Sequence, residues 1–230
     1  MRRRVTRSRS RRRRQPVAHE TRARILQAAG QLFADKGYFG TTGKEICSRA
    51  GTNPASVVYH FGGIADLYVA ALEKAFAQFA ASGPLTAAPA RGADAKQKLT
   101  SLITMLARTI LGPPSSSWPV RLISREIIAP TVMGSGLGNP KLRAMATVLE
   151  RTVSKLTALP HGHPVVALSC INIMAPFVIL PLVSQQQFTQ FFPTVSSRPH
   201  SVEETAQHLV RFALRGLAAA ARDVKRRGKA

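Results

Sequence analysis

A catalytic or metal centre in this 230-residue chain would have to draw mainly on six histidines, two cysteines and eleven Asp and Glu residues. Their order builds neither kind of centre. Cys47 and Cys170 lie too far apart in sequence, and too differently placed among their neighbours, to read as a disulfide, which fits a reducing cytoplasm. His161 and His163 sit in a loop bounded by Pro160 and Pro164, and no Cys/His spacing typical of zinc occurs. There is no Ser/His/acid set, no paired carboxylates and no glycine-rich phosphate loop, so an enzyme is disfavoured and no cofactor is expected. What the chain does offer is contact chemistry. A run of hydroxyls, an imidazole, a phenol and a lysine lies within Thr41 to Phe61, and nine arginines with no acid lie within residues 1–14.

The run TTGKEICSRAGTNPASVVYHF reads as two short helices and a tight turn. Thr42 with Glu45 three residues later is a capping box, and Lys44 to Ala50 places Ile46 and Ala50 on one inward face. Gly51 ends that helix. Asn53 is a good N-cap and Pro54 suits the first helical position, so a second helix is expected to start at once and continue through Ala55, Ser56, Val57, Val58 and Tyr59. Two helices so joined are a helix-turn-helix, the second helix being the one that enters a DNA groove.

These residues resemble the N-terminal domain of TetR/AcrR-type bacterial transcriptional regulators. Phe33, Gly37 and Tyr38 precede Thr41 and Thr42. Ala50-Gly51, Asn53, Ala55, Tyr59-His60-Phe61 and Leu67 then follow in the family's order, over roughly residues 19 to 80. One position departs. Where the family usually has a phosphate-binding lysine three residues after the Phe, this chain has Ile64. The resemblance implies roles for the matching positions: Pro54, Ala55 and Ser56 at base edges, and Val58 on an apolar base or sugar surface. Tyr59, His60, Thr42 and Lys44 would meet phosphates, the last two with the help of a helix dipole. Phe33, Ile46, Val57 and Phe61 are read as core. The resemblance further implies an all-α fold, with a helix-turn-helix head and a helical ligand-binding and dimerisation domain. Its members act as homodimers on near-palindromic double-stranded DNA, so the chain is expected to be a cytoplasmic one-component regulator, a repressor released by a small-molecule effector.

The formal net charge of +22 is unevenly spread. Residues 15–82 set six Lys/Arg against five Asp/Glu, so the reading head is nearly neutral and the arginine arm must supply much of the attraction to DNA. With Val5 as its one aliphatic side chain up to Arg14, the arm is expected to be disordered when free. It would follow phosphates or place arginines in a narrow minor groove, with steep salt dependence. A mis-assigned start or a solubilising tail is the plain alternative, and a general nucleic-acid compaction protein is the rival function.

Beyond the head the periodicity is helical throughout. His19 or Thr21 to Asp35 carries Ile25, Ala29, Leu32 and Phe33 on one stripe. A fourth helix repeats Ile64, Leu67, Tyr68, Ala71, Leu72, Ala75, Phe76 and Phe79. Further helices are read around Leu99, Leu102, Ile103, Leu106 and Ile110, stopped by Gly112-Pro113-Pro114, and around Leu142, Met145, Ala146, Leu149, Val153 and Leu156. Residues 164–183 carry no charge, which fits a buried helix shared between the ligand core and the dimer interface, with a membrane span as the alternative that Pro176, Pro181 and Asn172 oppose. Glu203 to Ala220 is the other dimer helix. The expected division is a disordered arm over 1–18, a head with connector helix over 19–82, an effector-binding and dimerisation domain over 83–220, and a basic tail over 221–230. The segment SSWPVRLISREIIAPTVM places Arg121 and Arg125 on one side of a helix, where like charges invite an anion. Trp118, Arg121, Arg125 and Met133 are therefore read as the effector pocket, with solvated arginines, or arginines bridging to acids elsewhere in the chain, as the alternative, and the phrase also looks like the C-terminal domain of a CecR-like subset.

Overall fold

The computed structural model describes residues 7–81, 93–111, 118–131, 140–183, 185–193 and 202–228. Its elements are α1 (Arg7–Lys36), α2 (Gly43–Ala50), α3 (Ser56–Phe61), α4 (Ile64–Ala81), α5 (Ala95–Leu111), α6 (Trp118–Ile128), α7 (Pro140–Thr157), α8 (Pro164–Ile179), a 3-10 turn at Leu180–Leu182, α9 (Gln185–Phe191) and α10 (Val202–Arg227). Met133, the loop at 82–92 and the prolines after α5 lie outside the described residues.

The apolar stripes read from the sequence turn toward the core, except that Ala146 of α7 is exposed and the Leu142 side chain lies outside those described. In the head, Ile25, Ala29, Leu32 and Phe33 of α1 meet Ile46 and Ala50 of α2, Val57 of α3, and Leu67, Tyr68 and Ala71 of α4. The Phe33 and Tyr68 rings pack edge to face at 4.9 Å, a geometry that adds to the area they bury. In the second domain Leu99, Ile103 and Leu106 of α5 pack with Leu149 and Val153 of α7, Val166, Ile173 and Phe177 of α8, and Val210 and Leu217 of α10.

Two boundaries differ from the sequence reading. Helix α1 begins at Arg7, so part of the basic arm is helical here rather than disordered. Arginine is a good helix former, which permits this despite Pro16 within the run. At the other end α10 runs on to Arg227, so most of the basic tail belongs to the last helix. Val224 keeps the apolar face going against the core, and the Lys225–Arg227 cations suit the negative end of the helix dipole.

The two domains are held together by α6, which packs on both α1 and α4. Trp118 is buried against Gly30, where an added Cβ would sit 2.4 Å from the indole ring. Only glycine permits α1 and α6 to come so close. Arg125 donates to the Ala34 and Asp35 carbonyls at 2.7 Å each, closing the C-terminal end of α1, and Arg121 pairs with the Asp35 carboxylate at 2.8 Å. On the α4 side the Tyr68 hydroxyl donates to the buried Glu126 carboxylate at 2.6 Å, and the Thr131 amide donates to the same group at 2.9 Å. Burial first, then the bond to Glu126, holds the Tyr68 phenol well above its ordinary value of 10.0.

Because Tyr68 is favoured in its neutral folded form, its contribution is complete below the unfolded phenol's range and is lost as pH rises through and beyond about 10. Tyr68→Phe should cost about 1.5–3 kcal/mol near neutral pH, since Glu126 stays buried with one bond fewer. It should also flatten the alkaline decline in stability. Denaturant unfolding of both proteins from pH 7 to 11 checks each part.

Candidate nucleic-acid interface

The helix pair is built from local signals and braced from a distance. Thr42 is extended (φ −111°, ψ 150°), and its hydroxyl accepts the Glu45 amide at 3.3 Å, as an N-cap does. The reciprocal half of the capping box is replaced: the Glu45 carboxylate takes the Lys36 ammonium of α1. That bond is the main cause holding the Glu45 carboxyl below its ordinary range. Gly51 ends α2 in the left-handed region at φ 60°, its amide donating to Ser48, while Thr52 donates to Cys47. Both bonds satisfy carbonyls that the helix end leaves open.

The second helix starts later than the sequence implied. Asn53 does not cap it directly. Its side-chain oxygen accepts the Ala55 amide at 2.9 Å and its carbonyl accepts the Ser56 amide at 2.9 Å, folding Asn53–Ser56 into a turn. Pro54 and Ala55 therefore lie in the turn ahead of α3, with Ala55 at the cap position and no side-chain cap bond. Gly62, at φ 87°, closes α3 after six residues.

Exposure separates the residues expected to touch DNA from those expected to support them. Val57 is 4% exposed, whereas the next two residues, Val58 and Tyr59, are 64% and 81% exposed. An aromatic ring left that far in water is not core, and its one close ring neighbour is His60, edge to face at 4.8 Å. Thr42, Lys44, Pro54 and Ala55 are exposed, and Ser56 and His60 are half-buried. All eight positions thus reach solvent from α2, the turn and α3. Phe33 and Ile46 are fully buried, while Phe61 is half-buried beneath the Arg22 guanidinium, 4.6 Å from the ring centre. Ile64 packs on the head's core and carries no charge to the surface.

The residue that sequence reasoning missed is Arg24. From the exposed side of α1 it donates to the Ala50 carbonyl at 3.1 and 2.6 Å and to the Gly51 carbonyl at 2.8 Å. It thereby clamps the turn that sets α3 against α2. Twenty-six residues separate Arg24 from Ala50, so no local pattern announces the contact.

Among the described residues, Trp118, Arg121 and Arg125 form the head–core joint described above, and Met133 lies outside them. The anion invited by the two arginines is the chain's own Asp35, together with the open carbonyls of α1. Two apolar clefts lie elsewhere. One of about 400 Å³ is lined by Ile103, Asn172, Ile173, Phe177, Phe212 and Leu217, among others of α5, α8 and α10. Another of about 370 Å³ is lined by Ile128, Leu180, Leu182 and Phe188, among others, where α6 ends beside the 3-10 turn and α9.

Arg24→Ala should lower stability by about 1–2 kcal/mol, the range for charge-assisted bonds at a partly exposed site. It should also weaken DNA binding more than that loss of fold predicts, because the turn is released. Arg24→Lys should recover only part, a point charge being unable to fork between two carbonyls. Denaturation curves beside binding isotherms distinguish these outcomes.

Comparison with known proteins places this geometry. Residues 25–71 match the family described as bacterial regulatory proteins, tetR family. The HTH-type transcriptional regulator UidR of Escherichia coli K12 is 24% identical over 148 residues, a match spanning 63% of this chain and 66% of that regulator, just under two thirds of its length. A tetR-family regulatory protein from Rhodococcus RHA1 superimposes with a TM-score of 0.64 at 20% identity, covering 86% of this chain and 96% of that one. The Bacillus subtilis regulator FadR, solved with stearoyl-CoA, gives 0.58 at 15% identity over 84% and 98%. The match falls on the braced pair and its supporting helices, so residues 25–71 form a helix-turn-helix head similar to that of the tetR family, carried on an all-helical second domain like those of the solved regulators.

Proposed function

We propose that this regulator is a cytoplasmic repressor that binds a near-palindromic operator as a homodimer and is released by a small apolar effector. The observation that carries the reading is the 81% exposure of Tyr59 beside exposed Val58 on a helix braced by Arg24. In this reading Pro54, Ala55, Ser56 and Val58 meet base edges and methyl groups, while Thr42, Lys44, Tyr59 and His60 hold phosphates.

The dimer is supported by apolar surface. Along Pro164–Leu182, long and apolar enough to cross a membrane, Leu168 and Ile171 are exposed, and on α10 Phe212 is 73% exposed. Large side chains left in water on two neighbouring helices mark a surface made to be covered. A second copy covers it symmetrically, while Val166, Ile173 and Phe177 already tie α8 into the core. Two heads so joined would meet successive major grooves about 34 Å apart.

Effector release follows from α6. The cleft at its C-terminal end is apolar, and the same helix grips α1 through Arg125 and α4 through Glu126. A ligand that binds one position of α6 better than another shifts the head spacing by its difference in affinity. FadR was solved with a long acyl thioester, which makes acyl chains the first effectors to screen. The arm, the head over 19–82 and the domain over 83–220 are retained as the working division. The compaction reading keeps one observation in its favour, the net charge of +22.

Selection from a random duplex pool at physiological salt, with and without residues 1–14, tests the proposal. An inverted repeat from both proteins is expected; no enriched sequence, with binding lost on removing the arm, would leave compaction as the function. Truncating residues 1–14 should weaken binding to all duplexes alike and make the salt dependence shallower. Tyr59→Ala should cost about 1–3 kcal/mol of operator affinity and leave thermal unfolding unmoved, since its ring is in water.

A further inference from the structure

The head is nearly neutral and the second domain is not. Residues 83–230 carry eighteen Lys/Arg against six Asp/Glu. On α10 the excess is ordered. Arg211, Arg215, Arg222 and Arg226 are all exposed, and at 3.6 residues per turn they fall within about 60° of one another. The row extends about 22 Å along the axis at 1.5 Å per residue. The opposite face holds Ala206, Val210 and Leu217 in the core against α5, α7 and α8. Among the described residues none of the four arginines is within ion-pair distance of a carboxylate.

Four guanidiniums held in a straight row by a rigid helix repel one another unless a polyanion neutralises them. Three features of the row select the kind of polyanion. The partner must be extended on the scale of 20 Å, which excludes a small anionic effector. Along the same strip lie Glu204, Gln207 and His208 before Arg211 and Ala218 between Arg215 and Arg222, and Phe212 at its border belongs to the face given above to the second copy, so the strip itself lacks the Trp, Phe or Leu side chains by which a basic helix enters a lipid surface. Arginine forks also match phosphate oxygens two at a time. We infer that this row on α10 is a second, sequence-independent contact for the phosphate backbone of duplex nucleic acid, separate from the helix pair of the head. It goes beyond the operator reading and does not depend on it, because α10 packs on the second domain and its row contacts phosphates alone.

The test uses the full-length chain and a labelled duplex of scrambled sequence, with affinity read by fluorescence anisotropy across a salt series. Arg211→Gln, Arg215→Gln, Arg222→Gln and Arg226→Gln are combined in one variant. A control variant combines Lys96→Gln, Arg143→Gln, Arg151→Gln and Lys155→Gln, removing the same charge from exposed or partly exposed positions on α5 and α7. If each arginine of the row neutralises one phosphate, the slope of log affinity against log salt becomes shallower by about 3 to 4 in the row variant. The control slope stays within about one of the parent. Equal slopes for the two variants would overturn the inference, since general charge would then explain the binding. So would an unchanged duplex slope with loss of binding to phosphatidylglycerol vesicles, which would assign the row to a membrane. Circular dichroism and sedimentation of both variants confirm that the comparison is between folded proteins of one oligomeric state.

Discussion

A helix of six residues has no stability of its own, because nucleating a turn costs more than so few hydrogen bonds return. Helix α3, which carries Val58 and Tyr59 into solvent, is such a helix. Everything in the head serves to hold it: Val57 anchors its underside in the core, Gly62 stops it, Arg24 clamps the turn before it, and Arg22 lies over Phe61 at its end. Long α1 supplies both arginines as well as Lys36, the partner of Glu45 in α2. The reading surface is therefore a small element made rigid by a large one, which is what presenting side chains to a groove requires.

The same dependence passes to the second domain through α6. Buried polar groups make this joint specific. The Glu126 carboxylate is 3% exposed and is tolerable there only with the Tyr68 hydroxyl and the Thr131 amide in place. An apolar contact would slide at small cost, whereas a buried carboxylate that loses its donors is heavily penalised. With Arg125 closing the end of α1 and Trp118 fitted to Gly30, the joint has a single well-defined register. In the proposed release mechanism a displacement of α6 is thus transmitted to the head and not absorbed between the domains.

Charge follows a different logic from packing. The head that reads DNA is close to neutral, while the arm before it and the last helix of the second domain are strongly basic. Neutral contacts at base edges discriminate among sequences, and arginines add affinity that is indifferent to sequence. In the proposed reading, separating the two lets attraction to DNA be strong without blurring what the helix pair reads.

The fold class, the helix pair and its Thr42 and Gly51 caps were legible in the order of residues, because caps, turns and 3.6-residue stripes are local physics acting over a few positions. So was the exposure of Val58 beside buried Val57, which follows from helical periodicity once the core face is known. The start of α3 was misread by two residues, since Asn53 can cap a helix or fold a turn and only the packing of α3 against α4 chooses. The fate of Arg121 and Arg125 was legible only as two alternatives, an outside anion or an acid elsewhere in the chain. Sequence spacing put two like charges on one helix face and asked for an anion, but whether that anion is a ligand or Asp35 depends on which helix end docks there. Arg24 was hidden for the same reason, its carbonyl partners being far along the chain and carrying no side-chain signal. The sequence by itself determined which elements form and which faces they bury. The tertiary structure alone decided which charges meet, because ion pairs and backbone clamps are set by distance in space, to which separation along the chain is no guide.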